Sequence, residues 1–186
     1  MANVFAIHSV GSSLVTYLTN SYPEPLRTDL PCTFALLSSG ELIDTDTIGT
    51  TLSFFLYRVT QNEHLRNAAP VNGSGQGDVP LSLDLHYLMS VWAASALTEH
   101  TVLAWAMREL HLHPVLDVSS LSPEAGWTRA DVVQLIPAEL TNEEIMRIWD
   151  ALVPPYRLSV SYIARVIRID PDVIEPGRPV ETGEQA

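Results

Sequence analysis

The sequence contains no lysine. Its ten basic residues are all arginine, and they stand against 22 acidic residues, which gives a formal net charge of −12. Proteins that bind a nucleic-acid backbone carry a cluster of basic residues on one surface, and so do proteins that bind anionic lipid. The sequence therefore predicts neither a nucleic-acid partner nor a membrane partner.

Cysteine is almost absent as well. Cys32 is the single cysteine, so no internal disulfide can form, and its place in the apolar run CTFALL predicts a small buried hydrophobe. No stretch reaches the roughly 18 apolar residues of a membrane span. The first residues, MANVFAIHSVGSS, lack the basic start and long apolar run of a signal peptide, so we expect synthesis in the cytoplasm.

Charged residues are scarce at 17%, whereas hydrophobic residues make up 46% of the 186 positions. A chain of this length and composition can bury the core of one domain. We expect an ordered domain over residues 1–169. The proline- and glutamate-containing stretch over 170–186 is predicted to be a flexible acidic tail.

Hydrophobic periodicity predicts an α-β-β-β-α-β-α-β order. Helices are expected over 3–19 and about 98–113, with a third after the Thr-x-x-Glu capping box at Thr141. Strands are expected over 32–37, 50–60, 81–92, 131–137 and 157–169. This pattern is typical of an α+β fold, with a mainly antiparallel sheet and about three helices packed against it.

Three side-chain placements follow from the same periods. Val4 is expected on the buried stripe of the first helix, together with Ile7, Leu14 and Leu18. Asp84 and His86 alternate with apolar residues, so they are expected to face solvent or a partner. Arg165 and Arg168 lie three apart in a strand and are expected on opposite sides of the sheet.

The segment 62–79 has no periodicity and contains a glycine-rich stretch, which predicts a long flexible loop. Its first part carries Glu63, His64 and Arg66, which are suited to specific contacts. Loops of this length in compact domains are usually functional or disordered.

No set of residues indicates catalysis, a metal or a cofactor. His111 and His113 are two apart at a helix end and do not face each other. Ser74 lies between two glycines but lacks the strand and helix that flank a nucleophile elbow. The chain is therefore predicted not to be an enzyme, with a small hydrolase using His86 or Ser74 as the alternative.

Several stretches, taken together in order, resemble one family. They are LSFFLYRVTQNEHLRN, LSLDLHYLMSVWA, EHTVLAWAMRELHLHPVL, LSPEAGW, VVQLIPAEL and IMRIWDALVPPYRLSVSYIARVIRID. The family supplies the tail-terminator, or cap, subunit of extracellular contractile injection systems of the antifeeding-prophage and virulence-cassette type. The resemblance covers roughly residues 3–170.

The resemblance implies a structural protein with a phage tail-terminator-like fold and no catalytic residues. It implies a ring, usually hexameric, at the end of the particle away from the baseplate, in contact with the last tube and sheath rings. A transient assembly factor for sheath or tube is the alternative. The particle that carries such a subunit can be released from the cell.

Six copies at −12 each would carry 6 × −12 = −72 charges, so subunit contacts in a ring must be apolar or arginine-paired. Candidate interaction residues are Arg58, Glu63, His64, Arg66, Arg108, Arg165 and Arg168. We further expect the 62–79 loop to become ordered against the sheath or tube end, with a passive connector as the alternative.

Overall fold

The computed structural model describes residues 2–43, 49–62 and 80–170. The described strands are β1 (Thr33–Leu37), β2 (Thr51–Gln61), β3 (Leu81–Trp92), β4 (Val115–Leu116), β5 (Val133–Ala138) and β6 (Ser159–Ile169). The described α-helices are α1 (Ala6–Ser21), α2 (Leu26–Asp29), α3 (Ala96–Leu112) and α4 (Asn142–Asp150). Two short 3-10 helices lie at Glu41–Ile43 and Pro123–Ala125.

The six strands form one sheet in the order β1-β2-β3-β6-β5-β4. Only β1 and β2 run parallel, and every other neighbouring pair is antiparallel. The predicted α+β class with a mainly antiparallel sheet is thus confirmed. The four-residue α2 and the two-residue β4 were not predicted, because elements this short show no hydrophobic period.

One side of the sheet, here called the core face, is covered by α1 and α3. α1 buries a stripe at four-residue spacing, and α3 adds a similar stripe that includes the fully buried Val102 and Ala106. The stripe of α1 consists of Ala6, Val10, Leu14 and Leu18. The prediction for Val4 was wrong: α1 begins at Ala6, and Val4 precedes it with 72% of its surface exposed.

The other side, here called the outer face, is only partly covered. Trp149 of α4 packs on Leu88 and Trp92 of β3, and Leu42 from the first 3-10 helix joins them. The predicted capping box is present, since the Thr141 hydroxyl accepts from the Glu144 amide and the Glu144 carboxylate accepts from the Thr141 amide. The capping box fixes where α4 starts, and so which half of the outer face it covers.

Two irregularities change the strand alternation. The β2–β3 register shifts between Leu56 and Arg58, and the β3–β6 register shifts where Leu83 pairs with Ile167 and Leu85 with Ala164. Each shift inserts one extra residue and moves every later side chain to the opposite face.

The extra residue in β6 overturns one prediction. Arg168 pairs with Ser82, the neighbour of core residue Leu83, while Arg165 contacts Asp84. Arg165 and Arg168 therefore lie on the same outer face, not on opposite faces.

Candidate functional site: two interaction surfaces

The uncovered half of the outer face gathers charged residues from three strands. We call it the arginine surface, and it consists of Arg58, Asp84, His86, Arg165 and Arg168. The two register shifts bring its three arginines to one side of the sheet. Three of the seven residues predicted to make contacts are thus neighbours in space.

Asp84 anchors this surface. It is only 8% exposed, which corrects the expectation that its side chain faces solvent or a partner. The Asn62 side-chain amide donates to both Asp84 carboxylate oxygens at 3.2 Å, and Arg165 Nε donates to Oδ2 at 3.3 Å. A buried carboxylate needs such partners, because burial removes its hydration. Asp84 therefore ties the end of β2 to β6 across β3.

His86 lies beside Asp84 on the same face. Its Nε2 is 3.0 Å from the Thr60 hydroxyl, and its ring centroid is 6.0 Å from that of Tyr57. Burial lowers the pKa of His86, and the nearby charge of Arg58 lowers it further, while Asp84 opposes them. The ring is thereby held neutral at a pH where a free histidine begins to take up a proton.

The remaining two arginines are exposed, and each acts on a carboxylate at the edge of this surface. Hydrogen bonds from Thr141 lower the pKa of Glu144, and the charge of Arg58 adds to that effect. Burial works against a low pKa for Asp131, but hydrogen bonds from Thr128 and the charge of Arg168 outweigh it. The three arginines of this surface are therefore matched by three carboxylates, Asp84 within the surface and Glu144 and Asp131 at its edge, although the whole chain carries −12.

The other predicted contact residues lie elsewhere. Arg108 is exposed on α3, where it lines a shallow cavity of about 470 Å³ with His100 and Trp105. Glu63, His64 and Arg66 lie outside the described residues. The glycine-rich loop with Ser74, and the predicted tail beyond residue 170, also lie outside them.

A second surface is apolar, and sequence reasoning missed it. A cavity of about 630 Å³, here called the groove, opens between the start of α1 and the end of β1. Its apolar walls include Val4, Ile7, Leu36, Leu56 and Tyr87, and its polar rim includes His8, Ser38 and Glu41. The Glu41 carboxylate accepts from the Ser38 amide and hydroxyl at 2.8 and 2.7 Å. The negative charge of Glu41 on the rim is thus already hydrogen-bonded within the chain.

Several large apolar side chains are exposed. Val4, 72% exposed, lines the groove, and the next residue, Phe5, is 57% exposed. Leu97 and Val153, 73% and 71% exposed, lie shortly after β3 and shortly before β6 in the chain. The one sequence signal for them was the low charged fraction, which favours apolar contacts but does not say where they are.

Within residues 2–43, 49–62 and 80–170, no group of three or more His, Cys, Asp or Glu residues is placed to hold a metal ion. Over the same ranges, none of the helices combines the length and the hydrophobicity that crossing a bilayer requires.

Comparison with known proteins identifies a family and two solved structures that are similar to this chain. The family model described as the Pvc16 N-terminal domain matches residues 9–182. A cryo-EM structure of a PVC sheath/tube terminator in the extended state, from an extracellular contractile injection system, aligns with 97% of this chain at a TM-score of 0.61 and 18% identity. The anti-feeding prophage cap, described as the AFP tube terminating cap, aligns with 100% of it at a TM-score of 0.56 and 18% identity.

The chain spans 63% of the length of the first of these proteins and 62% of the second. A comparison with curated protein sequences finds no significant match.

Proposed function

This chain belongs to the Pvc16 N-terminal domain family, and from that membership we propose that it is a structural terminator of a contractile injection particle. The observation that carries the proposal is the alignment of essentially the whole chain with a sheath/tube terminator and a tube-terminating cap. In this role the protein covers the last ring of the tube and the sheath, at the end away from the baseplate. It stops their growth by occupying the surface on which another ring would stack.

We propose that the working form is a closed ring of identical copies, most simply a hexamer that matches a six-fold tail. A ring of this kind needs two different complementary surfaces on each copy. The arginine surface and the groove are two candidates. The charge of −12 per copy favours contacts that are apolar or internally balanced, and both surfaces meet that condition.

The proposed role is structural and requires no catalytic residue. A sheet packed on one face by α1 and α3 and partly on the other by α4 is a rigid plate. The subunit is made in the cytoplasm and leaves the cell only as part of an assembled particle.

The test is to delete the gene in a strain that produces the particles and to image the particles by negative-stain electron microscopy. Loss of the terminator should give tubes and sheaths with a broad length distribution, or particles that contract early. Re-expression of the gene should restore a narrow distribution. Particles of unchanged length and stability would contradict the proposal.

Mass spectrometry of purified mature particles distinguishes a terminator from an assembly factor that leaves. A resident terminator should be recovered in a fixed ratio to the tube protein, near one ring per particle. A protein that is needed for normal length but is missing from mature particles would indicate a transient assembly role.

A further inference from the structure

We infer that the exposed side of α3 in one copy packs on the exposed side of α4 in the next copy, with Arg108 paired to Asp150 across the contact. This inference rests on the proposed ring and names the surfaces through which its subunits meet. Each helix turns apolar side chains and one unpaired charge toward solvent, and the two charges are opposite in sign.

α3 has apolar residues on both of its sides. Its buried side includes Val102, Trp105 and Leu110. Its other side leaves Leu97 and Leu112 73% and 61% exposed. A helix that is apolar all round is normally buried all round, so the exposed side of α3 favours a protein partner. That side consists of Leu97, His100, Ala104, Arg108, His111 and Leu112, which recur at helical spacing.

Arg108 carries the permanent charge on this side of α3. At the spacing of the helix, the acidic residues Glu99 and Glu109 fall on its other sides. Neither lies three or four positions from Arg108, where an ion pair within the helix would form. In the described part of the chain, the Arg108 guanidinium has no hydrogen-bond or ion-pair partner. A lone positive charge among apolar side chains favours a partner surface that presents a carboxylate.

α4 offers such a surface. Its exposed side carries Glu143, Met146, Arg147 and Asp150. Arg147 and Glu143 pair with each other at 2.6 Å, which leaves Asp150 as the charge without a partner within residues 2–43, 49–62 and 80–170. Asp150 is also the last residue of α4, where the helix dipole makes an acidic side chain unfavourable. Residues that are unfavourable in their local structure are expected at functional surfaces.

The two helices lie on opposite faces of the sheet, so their exposed sides cannot meet within one copy. α3 packs on the core face through Val102 and Leu103, and α4 packs on the outer face through Trp149. A contact between unlike faces of two copies is heterologous. Such contacts run head to tail, and they close into a ring when the rotation per copy allows it.

A second copy is the partner that the charges favour. The chain has 22 acidic residues against ten basic ones, so its own copies are a ready source of carboxylates. The arginine surface already matches its arginines with carboxylates, and Glu41 at the groove is already hydrogen-bonded. Arg108 and Asp150 are complementary to each other and have no such partners within the described ranges.

The test is a charge swap in the purified full-length protein at about 0.15 M salt. This ionic strength screens repulsion between whole copies but leaves charges within about 8 Å in contact. Arg108→Asp and Asp150→Arg each place like charges opposite one another in the contact, which is unfavourable. Each should raise the concentration for half-maximal assembly at least roughly tenfold in sedimentation velocity, which corresponds to about 1.4 kcal/mol.

Asp150→Arg is the more informative single variant. It lowers the net negative charge, so it would strengthen assembly if repulsion between copies were all that mattered. Assembly of this variant at the wild-type concentration or below would overturn the inference.

The double variant Arg108→Asp, Asp150→Arg is the decisive measurement. It restores opposite charges across the contact and keeps the net charge at −12, so it should assemble better than either single variant. Arg129→Asp with Asp150→Arg is the matched control, because Arg129 is exposed, lies on neither helix and gives the same net charge. The control should stay as defective as Asp150→Arg. A double variant no better than the single ones would overturn the inference.

Circular dichroism and thermal melting separate an assembly defect from unfolding. Asp150→Arg should melt no lower than wild type, since it removes a carboxylate from the negative end of α4. Wild type that stays monomeric at every accessible concentration would also overturn the inference, whereas the terminator role would still be decided by the length of particles from the deletion strain.

Discussion

A carboxylate inside a sheet is stable only when other groups replace its water, and Asp84 meets this condition through Asn62 and Arg165. Sequence reasoning placed Asp84 on the correct strand face but expected its side chain to face solvent or a partner, whereas it is buried. The sequence does not reveal which residues surround Asp84, because Asn62 is 22 residues away in the chain and Arg165 is 81 residues away.

Removing the carboxylate should therefore be costly. Asp84→Ala leaves the Asn62 amide and the Arg165 guanidinium without their acceptor, and we expect the free energy of unfolding to fall by about 1–3 kcal/mol. Urea denaturation measures it. Glu143→Ala is the control, because the Glu143–Arg147 pair is exposed and should contribute less than about 1 kcal/mol. Equal effects of the two substitutions would show that Asp84 is not anchoring the sheet.

His86 gives a prediction for pH. Its folded pKa lies below its ordinary value of 6.5, mainly because of burial and Arg58, so between these values the unfolded chain binds more protons than the folded one. The contribution of His86 to stability is therefore complete above about pH 6.5 and is lost as the pH falls through the folded pKa.

Melting temperatures of His86→Gln and wild type, measured from pH 8 to pH 5, test this. The wild type should lose more stability than the variant on acidification. His100→Gln, at an exposed position on α3, should follow the wild-type curve. Parallel curves for His86→Gln and wild type would contradict the assignment.

At the scale of elements, α1 approaches β1 closely at Gly11. A Cβ atom there would lie 2.6 and 2.8 Å from the two δ carbons of Leu36. A glycine inside a helix ordinarily weakens it. Here a side chain at position 11 could be placed only if the Leu36 side chain moved.

A double-mutant cycle tests this packing. Gly11→Val should destabilise the fold by about 1–3 kcal/mol through overpacking. Leu36→Ala should remove much of that penalty when combined with it, giving a coupling of about 1 kcal/mol or more. Asn20→Val, at an exposed position on the same helix, introduces a β-branched side chain without this contact and controls for β-branching. Additive effects of Gly11→Val and Leu36→Ala would contradict direct contact.

The long elements could be predicted because each repeats its hydrophobic period several times. The extra residues in β2 and β6 could not, since a bulge depends on the strand opposite, and each one changed the side on which an arginine lies. Val4 was misplaced for a related reason: it lies two residues before α1 begins, and a period extended past a helix end predicts burial that does not occur.

At the scale of the whole molecule, charge decides how copies approach one another. Each copy carries −12, so net repulsion opposes assembly at low salt. Raising the ionic strength from about 0.05 M to about 0.5 M should lower the protein concentration needed for half-maximal ring formation, because screening shortens that repulsion. Sedimentation velocity measures it. Assembly that weakens with salt would instead indicate ion pairs, with the arginine surface as their site.

The surfaces themselves lay beyond sequence reasoning. The groove is made by residues from α1, β1, β2 and β3, and no local pattern reveals that their side chains leave a space between them. Leu97 and Val153 look like ordinary core residues in the sequence. Only the folded chain shows that the neighbouring helices, α3 and α4, bury other residues.

The first and last residues that the structure describes, 2 and 170, lie side by side. The Asp170 amide donates to the Ala2 carbonyl at 3.0 Å, and Ala2 pairs with Ile169. A short linker from 170 to 2 would therefore let the protein be circularly permuted, with new ends opened in an exposed turn. By the same geometry, a fluorescent protein fused directly at either position would project from a single point near the groove, so both fusions should interfere with the same neighbour.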